Sequence, residues 1–268
     1  GSEMCIRDSY TRLLVPDIRL KKCYVHWIKV KELISAGMWN SISRLSQVLS
    51  DGLDLVITNI WISAYLMGEL SIAQQIPTYI STLTNTLINL FSPNLTMYYA
   101  KDDTEAVVKE LKLSMKFSSF FVNIIFCILV IFGKYFMQLW VPNQDVNLIY
   151  SLLVVIMMSL LVSGVTTSLN NVFLVTNRLK VNSIFWLIIS FTNVLLVFIF
   201  LNTTSLGIYA VAGVSKVTGI LGNLIFVPLY ACKCLKIKWN TFYPIFFRYI
   251  GTTFIMMIVF FGIKRLYV

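Results

Sequence analysis

Along this chain the apolar positions fill long blocks separated by short polar punctuation, and three of those blocks, 70–100, 146–177 and 181–215, contain no Asp, Glu, Lys or Arg at all. About 20 consecutive apolar residues cross the hydrocarbon core of a bilayer as a helix. Reading for such stretches predicts seven spans, at 33–67, 72–98, 117–132, 147–169, 181–201, 206–230 and 242–263. Strands are disfavoured because no alternating ten-residue pattern is present, and lipid admits only helices and closed barrels, whose backbone polar groups are all bonded internally. The first two spans exceed what a bilayer requires, so tilt, breaks or extension into water are expected. Pro77 and Pro93 are the expected break points of the second. The predicted fold class is all-α, a polytopic membrane helix bundle of about seven transmembrane helices.

Composition supports that reading: 57% of the 268 residues are hydrophobic and 13% charged, against roughly 25% charged in soluble domains. The cations give the orientation. Alternate connections hold Arg12, Arg19, Lys21, Lys22, Lys29 and Lys31, then Lys101, Lys109, Lys112 and Lys116, then Arg178 and Lys180, then Lys233, Lys236 and Lys238, with Arg248 just inside the last span. The opposite side has Lys134, Lys264 and Arg265. By the positive-inside rule the richer side faces the cytoplasm, as expected of a multi-pass membrane protein. The net charge of +10 is thus mostly a topology signal and a basic inner surface for the lipid bilayer. No nucleic acid partner is expected, because the cations are spread over membrane-flanking loops.

The connections are short. The inner stretch KDDTEAVVKELKLSMK at 101–116 reads as a charged amphipathic helix lying on or leading out of the membrane, and the outer turns are expected at 68–71, 133–146 and 202–205. None could house a catalytic domain outside the membrane, which argues against an enzyme. His26 is alone, Cys232 and Cys234 form an isolated Cys-x-Cys, and Cys5, Cys23 and Cys127 are scattered, so neither a metal site nor disulfides are expected. No cofactor motif is present. Residues 1–9, GSEMCIRDS, are out of character with the rest, and MCIRDS resembles a translated sequencing-adapter string; they are read as a non-native leader. Residues 10–31 then form a basic cytoplasmic linker, 32–230 a six-helix lobe, and 231–268 a cytoplasmic turn with one further, truncated transmembrane helix.

Ionisable residues inside a span are costly and mark function by default. In the first span Asn40, Ser43, Gln47, Asp51, Asp54 and Thr58 recur every three or four residues with Arg44 beside them, which gives one continuous polar face. Such a face lines a water-filled cavity or meets other polar helices; the alternative is that Arg44 sits at the inner interface and Asp51 or Asp54 pairs with it. Lys216 interrupts the otherwise uncharged sixth span, roughly 15 Å from its outer end. If the first helix enters the bilayer near Leu33, Arg44 reaches a similar depth and the two cations make an anion site. If entry is near Leu45, Arg44 snorkels to the inner surface. Thr82, Thr86, Asn85, Asn89 and Asn94 form a weaker polar stripe, Gly207, Gly213, Gly219 and Gly222 predict close helix packing, and Trp140 and Trp239 read as interface anchors.

The stretch SAGMWNSISRLSQVLSDGLDLVITNIWISAYLMGELSIAQQI resembles the opening helix of the carboxy-terminal half of bacterial polysaccharide flippases, in the multidrug, oligosaccharidyl-lipid and polysaccharide exporter superfamily. Asp54 takes the place of an acid near the helix's outer part, Gly68 that of the turn, and residues 71–73 the small-residue start of the next helix. LINLFSPNLTMYYAKDDTEAVVKELKLSMK is similar to the proline-ended next helix, with Pro93 at the proline, and FGKYFMQLWVP, LVTNRLK and LGIYAVAGVSKVTGILGNLIFVPLYACKCLKI are similar to later helices in order. The resemblance implies that the seven spans correspond to helices seven to thirteen of a fourteen-helix transporter, the amino-terminal lobe and last helix being absent. It further implies alternating-access movement of a polyprenyl-pyrophosphate-linked oligosaccharide across the cytoplasmic membrane, coupled to Na+ or H+, for cell-surface polysaccharide biosynthesis. Arg44, Lys216, Asn40 and Gln47 are then expected to bind cargo, and Asp51 or Asp54 to act as the coupling or structural acid. A cation-coupled multidrug exporter of the same superfamily is the alternative, though it would favour carboxylates over cations in its cavity. A membrane glycan polymerase or ligase would need acid or base residues on a sizeable outer loop, where only Asp145 and Glu69 stand.

Overall fold

The structure, a computed structural model, describes residues 26–267. The leader 1–9 and most of the linker 10–31 lie outside the described residues, as do the side chains of Gln47 and Asp51 and of five other positions in the first helix.

Ten helices follow one another among the described residues: α1 Trp27–Trp61, α2 Ala64–Asn89, α3 Ser92–Ala100, α4 Thr104–Trp140, α5 Val146–Thr166, α6 Asn170–Val175, α7 Leu179–Thr203, α8 Ile208–Leu221, α9 Val227–Leu235 and α10 Tyr243–Tyr267. A 3₁₀ turn, Thr167–Leu169, carries α5 into α6, and a π turn, Gly222–Phe226, carries α8 into α9. Five of the resulting rods are long and apolar enough to cross a membrane: Thr104–Trp140, Val146–Val175, Leu179–Thr203, Ile208–Leu235 and Tyr243–Gly262. α1 and α2, with 35 and 26 residues, are also long enough and differ by their polar stripes. The short turns make successive rods antiparallel, so the protein is an all-α polytopic membrane bundle of seven long rods, with the cation-rich connections at one end.

Helix boundaries follow local chemistry. α1 ends at Trp61 and Ser63 caps α2, its hydroxyl accepting from the Leu66 N–H at 3.1 Å. The outer turn therefore falls at 62–63 and not at 68–71; Gly68 is helical and Glu69 is buried, with Oε1 accepting from the Asp145 N–H at 3.3 Å. Pro77 sits inside an unbroken α2, whereas the chain does restart just before Pro93, which occupies the first turn of α3, where its missing N–H costs nothing. The amphipathic stretch at 101–116 is continuous with the third span: Asp103 caps α4 by accepting from Ala106 N–H at 2.9 Å, and 37 residues of helix run about 55 Å, well beyond a bilayer core of about 30 Å. The outer loop after it is only 141–145, shorter than the expected 133–146. Asp145 closes that loop by accepting from both Asn147 and Leu148 N–H groups at 3.1 Å. Asp145→Ala is expected to cost about 0.5–2 kcal/mol, read as a lower thermal midpoint in detergent that Asp145→Ser largely restores.

Two apolar cores stack along the bundle axis. The outer one gathers Leu70, Val122, Phe126, Met137, Leu152 and Val211, and the inner one Leu111, Met115, Leu169, Phe173, Val227 and Phe242. Hydroxyls knit the region between them: Ser114 and Ser168 meet at 2.9 Å, and Ser118 donates to the Gly164 carbonyl at 2.8 Å. α10 is attached to α4 through Asn123, whose Nδ2 donates to Thr252 Oγ1 at 3.3 Å. The predicted small-residue packing of the sixth span holds at part of its length. A Cβ on Gly213 would meet nothing within 4 Å, Gly207 opens α8 with φ +53°, and only Gly222 is tight, 3.1 Å from the Trp186 ring. Cys127, Cys232 and Cys234 are free thiols.

Candidate functional site

The polar face of α1 meets α7 and α8 along one edge. Ser43 and Ser183 share a hydrogen bond at 2.7 Å, Ser183 also donates to the Trp39 carbonyl at 2.8 Å, and Ser190 donates to the Ser46 carbonyl at 3.1 Å. Further out, Asp54 is 1% exposed and its Oδ1 accepts from Ser215 Oγ at 2.6 Å, a length typical of a hydroxyl donating to a charged carboxylate. Ser215 in turn accepts from Asn193 Nδ2 at 2.9 Å, and Thr218 donates to Asn193 Oδ1 at 3.5 Å. Thr58, also buried, donates to the Asp54 carbonyl at 2.7 Å. Helices α1, α7 and α8 thus meet at one carboxylate, which is bonded to Ser215 and through it to Asn193. The other edge of the α1 stripe, with Asn40 and Arg44, is exposed.

Lys216 follows Ser215 in sequence and turns about 100° away around α8. It lines an open cavity of about 280 Å³. The opposing walls are Gln74, Thr78, Ser81 and Thr82 from α2 and Ser159 and Ser163 from α5. Within α2, Thr78 and Thr82 donate to the carbonyls of Gln74 and Thr78 at 2.7 and 2.9 Å, leaving their oxygen lone pairs as acceptors. Pro77 is buried at the cavity wall and removes one backbone donor from α2 there. On the α8 side, a Cβ on Gly219 would lie 3.7 Å from Ser159 Oγ. A helix with glycine there lets α5 and α8 approach without filling the site.

Of the two placements open for Arg44, one level with Lys216 and one nearer the inner surface, the helix contacts favour the second. Ser43 is pinned to Ser183, in the second turn of α7, whereas the Asp54 and Ser215 level is that of Asn193, about ten residues further along the same helix. That interval is about 15 Å of rise, so Arg44 lies toward the cytoplasmic end and Lys216 nearer the outer one. The side chains of Gln47 and Asp51 lie outside the described residues. Of the second span's stripe, Thr82 faces the cavity, while Asn94 donates to Glu110 Oε1 at 3.0 Å near the inner end. Gln74, Thr78, Ser81, Ser159 and Ser163 escape sequence reasoning. Their signal is hydroxyls and an amide at intervals of three and four on faces of two adjacent helices, muted in α5 by a surrounding run of Leu, Val, Ile and Met.

The Asp54 carboxylate with the Ser215 hydroxyl beside it offers oxygen of the hard type that suits a small cation or a proton, and the ammonium among hydroxyls at Lys216 suits an anion with polar, hydroxyl-rich attachments. Among the described residues no group of three His, Cys, Asp or Glu is gathered for a transition metal. No protein-family model matches the chain, and no solved structure matches it. Among curated proteins it is similar to the uncharacterized membrane protein EpsK of Bacillus subtilis strain 168, with 26% identity over 212 residues that make up 79% of this chain and 42% of that protein. The chain therefore spans less than half the length of the curated relative it matches, and it is a polytopic membrane protein related to that bacterial membrane protein.

Proposed function

We propose that this chain forms one lobe of a transporter that moves a polyprenyl-pyrophosphate-linked oligosaccharide across the bacterial cytoplasmic membrane by alternating access, without covalent chemistry of its own. The observation that carries the reading is Lys216 in a hydroxyl-lined cavity, directly beside the Ser215 that bonds Asp54. A lysine at this depth is costly in lipid and is retained where it meets an anion or water. The ammonium would hold a phosphate as a point charge, and the surrounding hydroxyls and Gln74 would bond the first sugar. A cavity of about 280 Å³ admits a headgroup and no more, so the rest of the glycan would lie in space shared with the remainder of a longer protein, and the prenyl chain in lipid.

The separation of the two cations along the axis gives the cargo a path. Arg44, exposed near the cytoplasmic end with Asn40 on the same edge, would receive the pyrophosphate by forked hydrogen bonds, and Lys216 would take it about 15 Å further out. Asp54 would couple that movement to Na+ or H+. Occupation of the carboxylate changes its bond to Ser215, and Ser215 and Lys216 move with one helix. The same buried acid would serve a cation-coupled drug exporter, but the ammonium in the cavity favours an anionic cargo.

The test is binding of polyprenyl-pyrophosphate-linked oligosaccharide to this chain in lipid nanodiscs. Lys216→Gln should weaken binding at least about tenfold, since a charge-assisted hydrogen bond contributes about 1.5–3 kcal/mol, and Lys216→Arg should stay within a few-fold of the native chain. Equal binding by native protein and Lys216→Gln would refute an anion site, and tighter binding of lipophilic cations by Lys216→Gln would favour the exporter reading.

A further inference from the structure

On the outer surface of α7 and the α8–α9 rod lies an apolar groove of about 480 Å³ that shares no lining residue with the Lys216 cavity. Its floor and one wall are aromatic and rigid. Phe185 stacks on Phe226 with ring centroids 3.7 Å apart and planes 8° apart, and Phe226 stacks on Tyr230 at 5.3 Å. Gly222 makes room for this, because a Cβ there would meet Trp186 at 3.1 Å and Phe185 at 3.3 Å. The π turn at Gly222–Phe226 widens the helix by a residue at this point, a feature that recurs at functional sites. The outer lip is Ile225 and Leu229, both exposed.

The groove ends in cations. Lys233 lines its cytoplasmic end, one turn beyond Leu229 on the same face. The Tyr230 hydroxyl donates to the Arg178 carbonyl at 3.1 Å, which brings the α6–α7 turn alongside, and the Arg178 charge lies within electrostatic range of that hydroxyl. A concave apolar slot in a bilayer fills with a hydrocarbon chain, because chains are the surrounding solvent. What distinguishes this slot from the general lipid shell is the presence of Lys233 in its lining and Arg178 beside Tyr230 at its cytoplasmic end, on the side where anionic lipids are concentrated.

We propose that this groove seats one anionic phospholipid of the cytoplasmic leaflet, an acyl chain lying along Phe185, Phe226 and Tyr230 and the phosphate between Lys233 and Arg178. The inference rests on the membrane embedding and orientation of the chain and is independent of the transported cargo. It is tested by native mass spectrometry of the purified chain after exchange into phosphatidylglycerol or phosphatidylcholine of matched chain length. Phosphatidylglycerol should remain bound preferentially, and Lys233→Gln and Arg178→Gln should each lower its retention roughly fivefold, from about 1 kcal/mol per cation near the headgroups. Leu229→Trp, which fills the groove from an exposed position and so leaves the fold intact, should abolish retention of either lipid at this site. Equal retention of both lipids, retention unchanged by Leu229→Trp, or displacement of phosphatidylglycerol by polyprenyl pyrophosphate at equal mole fraction would each overturn the proposal.

Discussion

Gly164→Leu should leave no folded protein, and Gly164→Ala should lower the thermal midpoint although alanine is the better helix former. Gly164 lies in α5 where that helix crosses α4, and a Cβ there would stand 2.9 Å from Val122 Cγ2, 3.2 Å from its Cβ and 3.3 Å from its Cγ1. Three atoms of one β-branched side chain crowd the position, and valine in a helix has a single strongly preferred rotamer, so rotation does not relieve the contact. The helices would have to separate, pulling on the 2.8 Å bond from Ser118 to the Gly164 carbonyl. Overpacking costs about 1–3 kcal/mol, against a gain of about 0.8–1 kcal/mol in helix propensity for glycine to alanine; the steric cost wins. Gly213 supplies the contrast, because a Cβ added there would meet no atom within 4 Å, so Gly213→Ala should hold or raise the midpoint. Val122→Ala should rescue Gly164→Ala. If both alanine variants shift the midpoint in the same direction, close approach of α4 and α5 does not govern stability, and unfolding followed by tryptophan fluorescence in detergent decides it.

The seven rods are legible in the sequence because long, predominantly apolar stretches of about twenty residues, three of them free of any charge, have one solution in lipid. Their ends are less so. Sequence places the first outer turn at Gly68, because a glycine beside a glutamate reads as an exposed break, whereas Glu69 is buried against the Asp145 amide and Ser63 alone carries the cap. Helical spacing is enough to single out Asp54, but its partner Ser215 lies 161 positions away and Asn193 on yet another helix, and nothing local announces such pairs. Gly164 escapes notice for the same reason: its importance resides in Val122 on another helix. Of the four glycines of the sixth span, which look like one packing motif in sequence, Gly219 and Gly222 meet neighbouring side chains while Gly207 and Gly213 face open space. Periodicity identifies a face, and only the neighbouring helix determines what that face does.

Asp54→Asn should keep the fold and abolish the cation dependence of cargo binding. The native carboxylate accepts from Ser215 at 2.6 Å while Ser215 is held by Asn193 at 2.9 Å and also reaches the Val211 carbonyl at 3.1 Å. Asparagine retains the shape and an acceptor oxygen for Ser215, so the midpoint should move by no more than about 1 kcal/mol, the value of a neutral hydrogen bond. Asp54→Ala loses the acceptor of a charge-assisted bond and opens a cavity, and should cost at least about 1.5–3 kcal/mol. Function separates the variants differently. If the carboxylate takes Na+ or H+, that occupation and cargo binding at Lys216 are linked through α8, and linkage is reciprocal: varying Na+ or pH must change cargo affinity by the factor by which cargo changes cation affinity. Asp54→Asn has no charge to titrate or to hold a cation, so its cargo affinity in nanodiscs should be flat across Na+ concentration and pH where the native chain responds. Ser215→Ala, with the carboxylate intact and its bond to α8 cut, should still bind the cation but transmit less to Lys216. An Asp54→Asn variant whose cargo affinity follows Na+ or pH as the native chain does would make Asp54 a structural acid, and the coupling site would then have to lie elsewhere on the bundle.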